Sequence, residues 1–553
     1  MKVRLIKGPR ENPVDIDINI GSTIEDIAKN YREEMPYRII AAKVDNKIEA
    51  LTYKLEKPCK LELLDMRNQA ANLIYQYSLT LIYLKAVDSV LGKVHVEIKN
   101  SLNKGLFTEI NSAKPVTKED VSKIQTRMRE IVKEDIPFVK HIVDKGIARD
   151  QLISDSQREK VRMLNRAKNV QSIKFYSLGK TCDFFYGMMA PSSGYIEYFE
   201  LRKYKAGVLL RFPHQNNPNH IPAYVDEKKL YDAFAEETKW ADLMEVRYVN
   251  DLNDKIFDGE CKELIQLSEA FHEKKIAEIA NLIYKEDKRI ILIAGPSSSG
   301  KTTFARRLCI QLKVNGLKPL YLGTDDYYLE RNETPTDGDG EKNFEDLEAI
   351  DIKLFNTQIN DLLDGKIVDL PEFDFYTGTK VFGKRITKIS ANQPIVIEGI
   401  HGLNKELTPY LPGEEKFRIY ISPFTQLNID EHNRIPTTDA RMLRRIVRDS
   451  QFRGYSAKKT IELWPKVRIG EDKNIFPYSN EADVLFNSAH IYELSVLKKY
   501  AEPLLLEIKP EEPEYGEAIR MLKFISFFDK IEDDSIIVNN SIIREFIGGS
   551  IFV

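Results

Sequence analysis

In residues 1 to about 65, apolar and polar positions alternate over short runs. "VRLIK" and "VDIDIN" have the period of two expected of half-buried strands, and "IIAAKVDNKIEAL" holds two more strand-like runs about an Asp-Asn turn. Between them "GSTIEDIAKNY" offers Ser22 or Thr23 as a helix cap ahead of an apolar stripe. Strands around a single helix predict a small β-grasp module over 1–65. From 66 to about 225 a long helical stretch, "ANLIYQYSLTLIYLKAVDSVL", is followed by strand-like "KVHVEIKN" and by "EDVSKIQTRMREIVKED", whose apolar residues have helical spacing. This predicts a second, α+β domain. The charged helical stretch over 226–285 predicts a connector. From 286 to 553 the rhythm changes: "RIILIA", "KPLYLGT", "QPIVIEG", "FRIYIS" and "ADVLFNS" are brief apolar runs between helical stretches, as expected of strands covered on both faces. A doubly wound α/β domain with a parallel sheet follows, and its ligands should collect where those strands end.

Composition narrows the class. The chain has 553 residues, 42% hydrophobic and 30% charged, which predicts several domains and not one core. No run of eighteen apolar residues is present, so no membrane partner is expected. The first residues lack the apolar core of a secretory signal, and the chain is expected to be cytoplasmic. Cys59, Cys182, Cys261 and Cys309 are isolated, so neither a zinc knuckle nor a disulfide framework is indicated. A net charge of −3 does not favour nucleic acid in bulk, although a local basic face stays open.

The chemistry concentrates after the first of the five runs. Gly295-Pro296-Ser297-Ser298-Ser299-Gly300-Lys301-Thr302 satisfies GxxxxGK[ST] between a strand and a helix, with Thr303 following. Backbone amides there can turn inward around phosphate oxygens, Lys301 can bridge the β- and γ-phosphates, and Thr302 can hold Mg²⁺. ATP and Mg²⁺ are the implied cofactors. Asp325 and Asp326 end the next run; a carboxylate there can orient an attacking hydroxyl and accept its proton, or the pair is a solvated turn. Glu398 ends another run and can hold a metal-bound water, or start a helix. Arg441, Arg444, Arg445 and Arg448 fall at i, i+3, i+4 and i+7, too dense in like charge on one helix face unless an anion lies opposite. Phosphate is the expected anion, with a solvated or RNA-binding face as the alternative. His401 is read either as bonded to loop backbone or as touching substrate, and Trp240 and Trp464 as packing residues.

The ordered blocks "GPSSSGKTT", "TDDYY", "NFEDLEAID", "LPEFDFYTGTK", "VIEGIHGL", "RRIVRDSQFRG" and "ADVLFNS" resemble the uridine kinase and phosphoribulokinase family over roughly 286 to 500. The resemblance implies Asp325 as catalytic base with Tyr328 beside it, and Arg445, Arg448 and Arg453 against phosphates, ribose and lid. It implies Glu345 at the ribose hydroxyls and Phe373 and Phe375 flanking the base. The family's base-reading histidine falls at Gly378, and the arginine expected after Arg453 is replaced by Tyr455, so the acceptor nucleoside is left open.

Residues 1–65 resemble a TGS domain, and 66–225 are similar to the second additional domain of threonyl-tRNA synthetase, an editing domain. Its histidine pair falls at Gln76 and Thr80, and its later Cys and His at Phe185 and Met189, so hydrolysis of the family kind is not expected. The implied activity is transfer of the ATP γ-phosphate to a nucleoside hydroxyl, the 5′-OH of a uridine or cytidine type of acceptor. The alternative is an ATP-binding, RNA- or tRNA-associated regulator, with RNA contacted through the front half. Homo-oligomer formation is left open.

Overall fold

The computed structural model describes every residue except 9, 10, 168, 169, 337–339, 341, 426 and 553. The first strands are β1 (Lys2–Ile6) and β2 (Val14–Asp17), followed by helix α1 (Ile24–Asn30) and by β3 (Ile39–Val44), β4 (Lys47–Ala50) and β5 (Lys60–Asp65). They form one sheet in the order β2-β1-β5-β3-β4, in which β1 and β5 run parallel and the other pairs antiparallel. Thr23 is the cap: its side chain and that of Asp26 satisfy each other's backbone amides, and Ile24, Ile27 and Ala28 enter the core behind it. Asp45 and Asn46 both take left-handed φ, 47° and 67°, which closes the two-residue β3–β4 turn. The β-grasp arrangement is therefore present.

The middle region contains α2 (Gln69–Leu91), β6 (His95–Leu102), β7 (Gly105–Asn111), α3 (Lys118–Lys133), β8 (Phe138–Asp144), α4 (Lys145–Ser154), α5 (Arg158–Arg166), β9 (Ser172–Leu178), β10 (Thr181–Asp183), β11 (Glu200–Tyr204) and β12 (Gly207–Arg211). It holds two antiparallel sheets, β11-β12-β7-β6 and β10-β9-β8. Helix α2 is buried on more than one side, which explains its lack of an amphipathic stripe.

Helices α6 (Lys228–Leu243), α7 (Val249–Phe257) and α8 (Cys261–Lys285) occupy the expected connector. They do more than connect. Leu252 of α7 and Ile276 and Ile279 of α8 share one core with the strands and helices that follow. Those are β13 (Ile290–Ala294), α9 (Lys301–Val314), β14 (Leu320–Gly323), α10 (Ile352–Leu363), the hairpin β15 (Val368–Asp374) and β16 (Thr379–Thr387), β17 (Ile395–Glu398), β18 (Lys416–Ser422), α11 (Thr437–Phe452), α12 (Ala457–Asn474), β19 (Val484–Asn487), α13 (Glu493–Leu506), α14 (Tyr515–Ile525) and α15 (Arg544–Ile547). The sheet order is β14-β17-β13-β18-β19 with every pair parallel. All five predicted apolar runs are its strands.

Residues 428–434, between β18 and α11, tie the front half to this domain. Asn428 donates to the carbonyl oxygens of Ile98 and Lys99 at 2.9 and 3.1 Å, and the Ile98 amide donates to Glu431 O at 2.8 Å. Lys160, almost fully buried, pairs with Asp183, while His432 lies 2.6 Å from the other Asp183 oxygen. Tyr186 donates to Asp430 at 2.9 Å. Buried charges of this kind persist only when partnered, so the two halves are held in one arrangement.

Candidate active site

β13 ends at Ala294, and residues 295–300 carry the chain from Gly295 and Pro296 over to α9. Ser298 and Gly300 both take left-handed φ, 60° and 83°, a conformation that turns successive amides toward one side and makes an anion cradle. Glycine is required at 300 by that φ, and also because a side chain there would collide with Ile542. The hydroxyls of Ser298 and Ser299 are buried without a hydrogen-bond partner among the described residues, and the first amides of α9 lack acceptors within the helix. These donors fit a phosphate chain.

Lys301 Nζ donates to the Pro296 carbonyl at 3.3 Å across the loop. The Thr302 hydroxyl donates to Glu398 Oε1, at the end of β17, at 3.0 Å, and Tyr321 donates to the same oxygen at 3.2 Å. Burial pushes the Glu398 carboxyl above the usual carboxylate range, against the attraction of Lys301. A divalent cation would relieve that desolvated charge. Among the described residues no three His, Cys, Asp or Glu side chains form a ready metal cluster. The fit for Mg²⁺ is therefore Thr302 with Glu398, the remaining oxygens coming from nucleotide and water.

Thr303 departs from the expectation of nucleotide contact. It is fully buried, and both its hydroxyl and its amide donate to Glu545 Oε2 of α15, at 2.8 and 3.3 Å. Its side chain is engaged by the C-terminal segment.

After β14 a single 3₁₀ turn, Thr324–Tyr327, carries the two adjacent aspartates. Asp326 accepts from Arg385 of β16 at 2.6 Å, and so anchors the hairpin. Asp325 has no ion pair among the described residues. It remains open to solvent on one side, while crowding by protein raises its carboxyl above the usual range; Lys301 opposes that rise and Asp326 adds to it. Of the two aspartates, Asp325 is the one available to a substrate hydroxyl.

On the acceptor side Tyr328 is buried, with the rings of Phe344, Phe373 and Phe375 packed edge-on at 5.2, 5.7 and 6.3 Å. Phe373 is buried and Phe375 is 60% exposed, so Phe375 offers the free ring face. Phe344 was not among the expected site residues. Gly378 has φ 74°, and a Cβ there would lie 2.8 Å from Arg331 Cβ. Arg331 donates from its amide to Gly378 O at 2.9 Å and from its guanidinium to Phe375 O at 3.0 Å. The position where a base-reading side chain was missing is thus a left-handed turn closed by Arg331. Glu345 packs against Gly470 of α12, and burial raises its carboxyl, with Arg445 opposing.

The arginine face of α11 divides in two, which corrects the expectation that phosphate is its counter-anion throughout. Arg441 pairs with the buried Glu471 and donates to Ser297 O at 3.0 Å. Arg444 pairs with Glu493 at 2.6 Å and donates to Ser298 O at 3.3 Å. These two brace the phosphate loop from behind. Arg445 donates to the Ser297 hydroxyl at 2.9 Å and pairs with Asp449 at 3.1 Å. Arg448 and Arg453 approach the same buried Asp449 at 2.9 and 3.7 Å. Burial, with repulsion from Arg453 and Arg445, pulls Arg448 down to about 10. Three guanidiniums about one carboxylate leave an excess of positive charge beside the loop.

His401 is fully buried, neither ring nitrogen has a hydrogen-bond partner among the described residues, and burial lowers it to about 4. Trp240 stacks on Phe271 at 4.1 Å, and Trp464 is buried beside Arg441, as expected of packing residues. In the front half, Thr80 donates to Gln76 O at 2.8 Å, Gln76 donates to Asn72 at 2.6 Å, and Phe185 and Met189 are core residues. None of the four is placed to activate water.

Comparison with known proteins follows this division. Residues 290–495 match the Phosphoribulokinase / Uridine kinase family. The chain is 25% identical over 181 residues to a threonine--tRNA ligase of Symbiobacterium thermophilum, covering 33% of this chain and 28% of that one. A threonine--tRNA ligase of Fusobacterium nucleatum is 27% identical over 182 residues, covering 32% and 29%. The chain thus spans under a third of the length of these relatives. Among solved structures, one described as "a Possible Uridine Kinase from Bacillus stearothermophilus" is 22% identical, covering 36% of this chain and 88% of that one, with a TM-score of 0.23.

Proposed function

With the match of residues 290–495 to the Phosphoribulokinase / Uridine kinase family as premise, we propose that the protein is an ATP-dependent kinase acting on a nucleoside hydroxyl, the 5′-OH of a uridine- or cytidine-like acceptor. The observation that carries this reading is the asymmetry of the aspartates: Asp326 is spent on an ion pair with Arg385, while Asp325, hydrogen-bonded to Tyr328, has no ion pair among the described residues. The loop amides and Lys301 bind the triphosphate, and Thr302 with Glu398 would hold Mg²⁺, which supplies charge neutralisation at the phosphates. Asp325 orients the acceptor hydroxyl and takes its proton. Arg445 and Arg448, with Arg453 at the rim, stabilise charge on the transferring group. Tyr328, Phe373 and Phe375 hold the acceptor's ring, and Glu345 its ribose hydroxyls.

The TGS-like region 1–65 and the synthetase-like region 66–225 act here as a fixed accessory to the kinase region 286–553, joined through 226–285. No helix among the described residues is long and apolar enough to cross a membrane; a cytoplasmic location, as a monomer or homo-oligomer, goes with this reading. Nucleoside-dependent ADP release across a nucleoside panel tests it. Turnover with uridine or cytidine supports it, and ATP binding with no acceptor-dependent turnover, alongside tRNA binding by the same preparation, would favour a regulator.

A further inference from the structure

A cavity of about 860 Å³ lies where all three parts of the chain meet, away from the phosphate loop. The β-grasp module contributes Lys54, the middle region Lys140 and Lys174, and the kinase region Arg434 and Lys523. None of these five cations has a carboxylate partner among the described residues. The two acids that line the cavity are already committed, Glu49 to Lys47 at 2.7 Å and Asp439 to Arg520 at 2.6 Å. Arg434 donates to the neighbouring Ile435 carbonyl, at 3.3 Å, and Lys174 donates to Gly187 O, at 2.9 Å, and lies 5.1 Å over the Tyr176 ring. Burial together with repulsion from Lys523 and Lys140 pulls the Lys174 ammonium down to about 7, and burial brings Arg434 down to about 10. Lys54, Lys140 and Lys523 are exposed, whereas Lys174 and Arg434 are partly buried, with Glu49 and Asp439 offsetting only part of their charge, and such an excess of positive charge favours an anion. The remaining wall is apolar and aromatic, with Tyr77, Phe138, Phe524 and Phe527. The volume falls within the few hundred to about 1,000 Å³ typical of small-molecule sites.

We propose that this cavity binds a ring-bearing organic anion of the nucleoside-phosphate class, its phosphate among Lys174, Lys523 and Arg434 and its ring against the aromatic wall. Charge supplies the anion preference, and the aromatic wall requires an organic body that inorganic phosphate lacks.

The test uses the full chain and four probes, AMP, UMP, adenosine and inorganic phosphate, titrated calorimetrically. A parallel experiment measures acetylation of Lys174 by a sulfosuccinimidyl ester, located by mass spectrometry. The expected result is binding of at least one monophosphate, weakened tenfold or more by Lys523→Glu and by the milder Arg434→Gln, unchanged by Lys301→Ala, with Lys174 protected in its presence. Arg434→Gln covers the case in which Lys523→Glu fails to fold. The proposal is overturned if neither monophosphate binds below millimolar concentration, if binding is lost in Lys301→Ala and kept in Arg434→Gln, or if Lys174 is acetylated equally with and without ligand. Inorganic phosphate binding as tightly as the monophosphates overturns the nucleoside class.

Discussion

Glu545 accepts hydrogen bonds from both the hydroxyl and the amide of Thr303, 242 residues earlier in the chain. The C-terminal segment thereby closes the first turn of α9, and Ile542 of the same segment lies where any side chain at Gly300 would go. Replacing Glu545 with Ala leaves two buried donors unsatisfied, at a cost of about 1–3 kcal/mol. The expected outcome is a lower urea midpoint together with weaker ATP binding, with Glu545→Gln intermediate in both. An unchanged ATP affinity in Glu545→Ala would separate the C-terminal segment from the loop.

Asp325→Asn is expected to lower kcat by about 10²–10⁴-fold, the usual worth of a positioned general base, with little change in ATP affinity. Asp326→Asn frees Arg385 and loosens the hairpin, so its effect should fall on the acceptor's KM. Steady-state kinetics of the two variants decides the assignment; equal kcat losses would refute it.

The same carboxyl sets a pH dependence. Asp325 must be ionised to take a proton, and burial raises it above the ordinary aspartate value of about 3.9. Glu398 is raised in the same sense. The acid limb of kcat/KM is therefore expected to lie above that of an exposed carboxylate, with activity lost as pH falls through it. A profile flat down to about pH 4 would count against Asp325 as base.

Glu237 lines a small cavity with Trp240 and His272, where burial raises its carboxyl from 4.5 to about 8. The folded protein thus holds this proton more tightly than the unfolded chain. Its contribution is most favourable below about 4.5 and is lost as pH rises through about 8. Glu237→Gln should raise Tm more at about pH 8.5 than at about pH 5. Thermal melts at the two pH values check this; a larger gain at the lower pH would contradict it.

Lys160 offers the clearest test of how firmly the halves are joined. Replacing it with Ala strips the buried Asp183 of the Lys160 ammonium and leaves it the His432 ring, a change that costs about 3–5 kcal/mol in such settings. The urea midpoint of the full chain should fall accordingly, and a shift indistinguishable from zero would show the cluster to be solvated in solution.

Much of region 286–553 is legible in its sequence. Strands covered on both faces need unbroken apolar runs, so "RIILIA" and its four counterparts announce the parallel sheet directly. The phosphate loop is equally plain, because its glycines, lysine and threonine are contiguous and their geometry is local. The charged side chains were less readable. The periodicity of Arg441, Arg444, Arg445 and Arg448 shows that they share a helix face, but not that Glu471 and Glu493 have already taken two of them. Asp449, which gathers the other guanidiniums, stood unmarked within the same block. The charged helical pattern of 226–285 revealed helices but not the core that they share with the following domain.

Element order, the β3–β4 turn, the phosphate cradle and the candidate base pair all follow from residues adjacent in the chain, because backbone propensity and hydrophobic periodicity act over a few residues. Which aspartate remains free, what stands beside Gly378, what caps α9 and what lines the three-way cavity were decided only by the tertiary structure. Arg385 is 59 residues from Asp326, and Glu545 is 242 from Thr303. Electrostatic neutralisation depends on distance in space, and the chain order does not encode that distance.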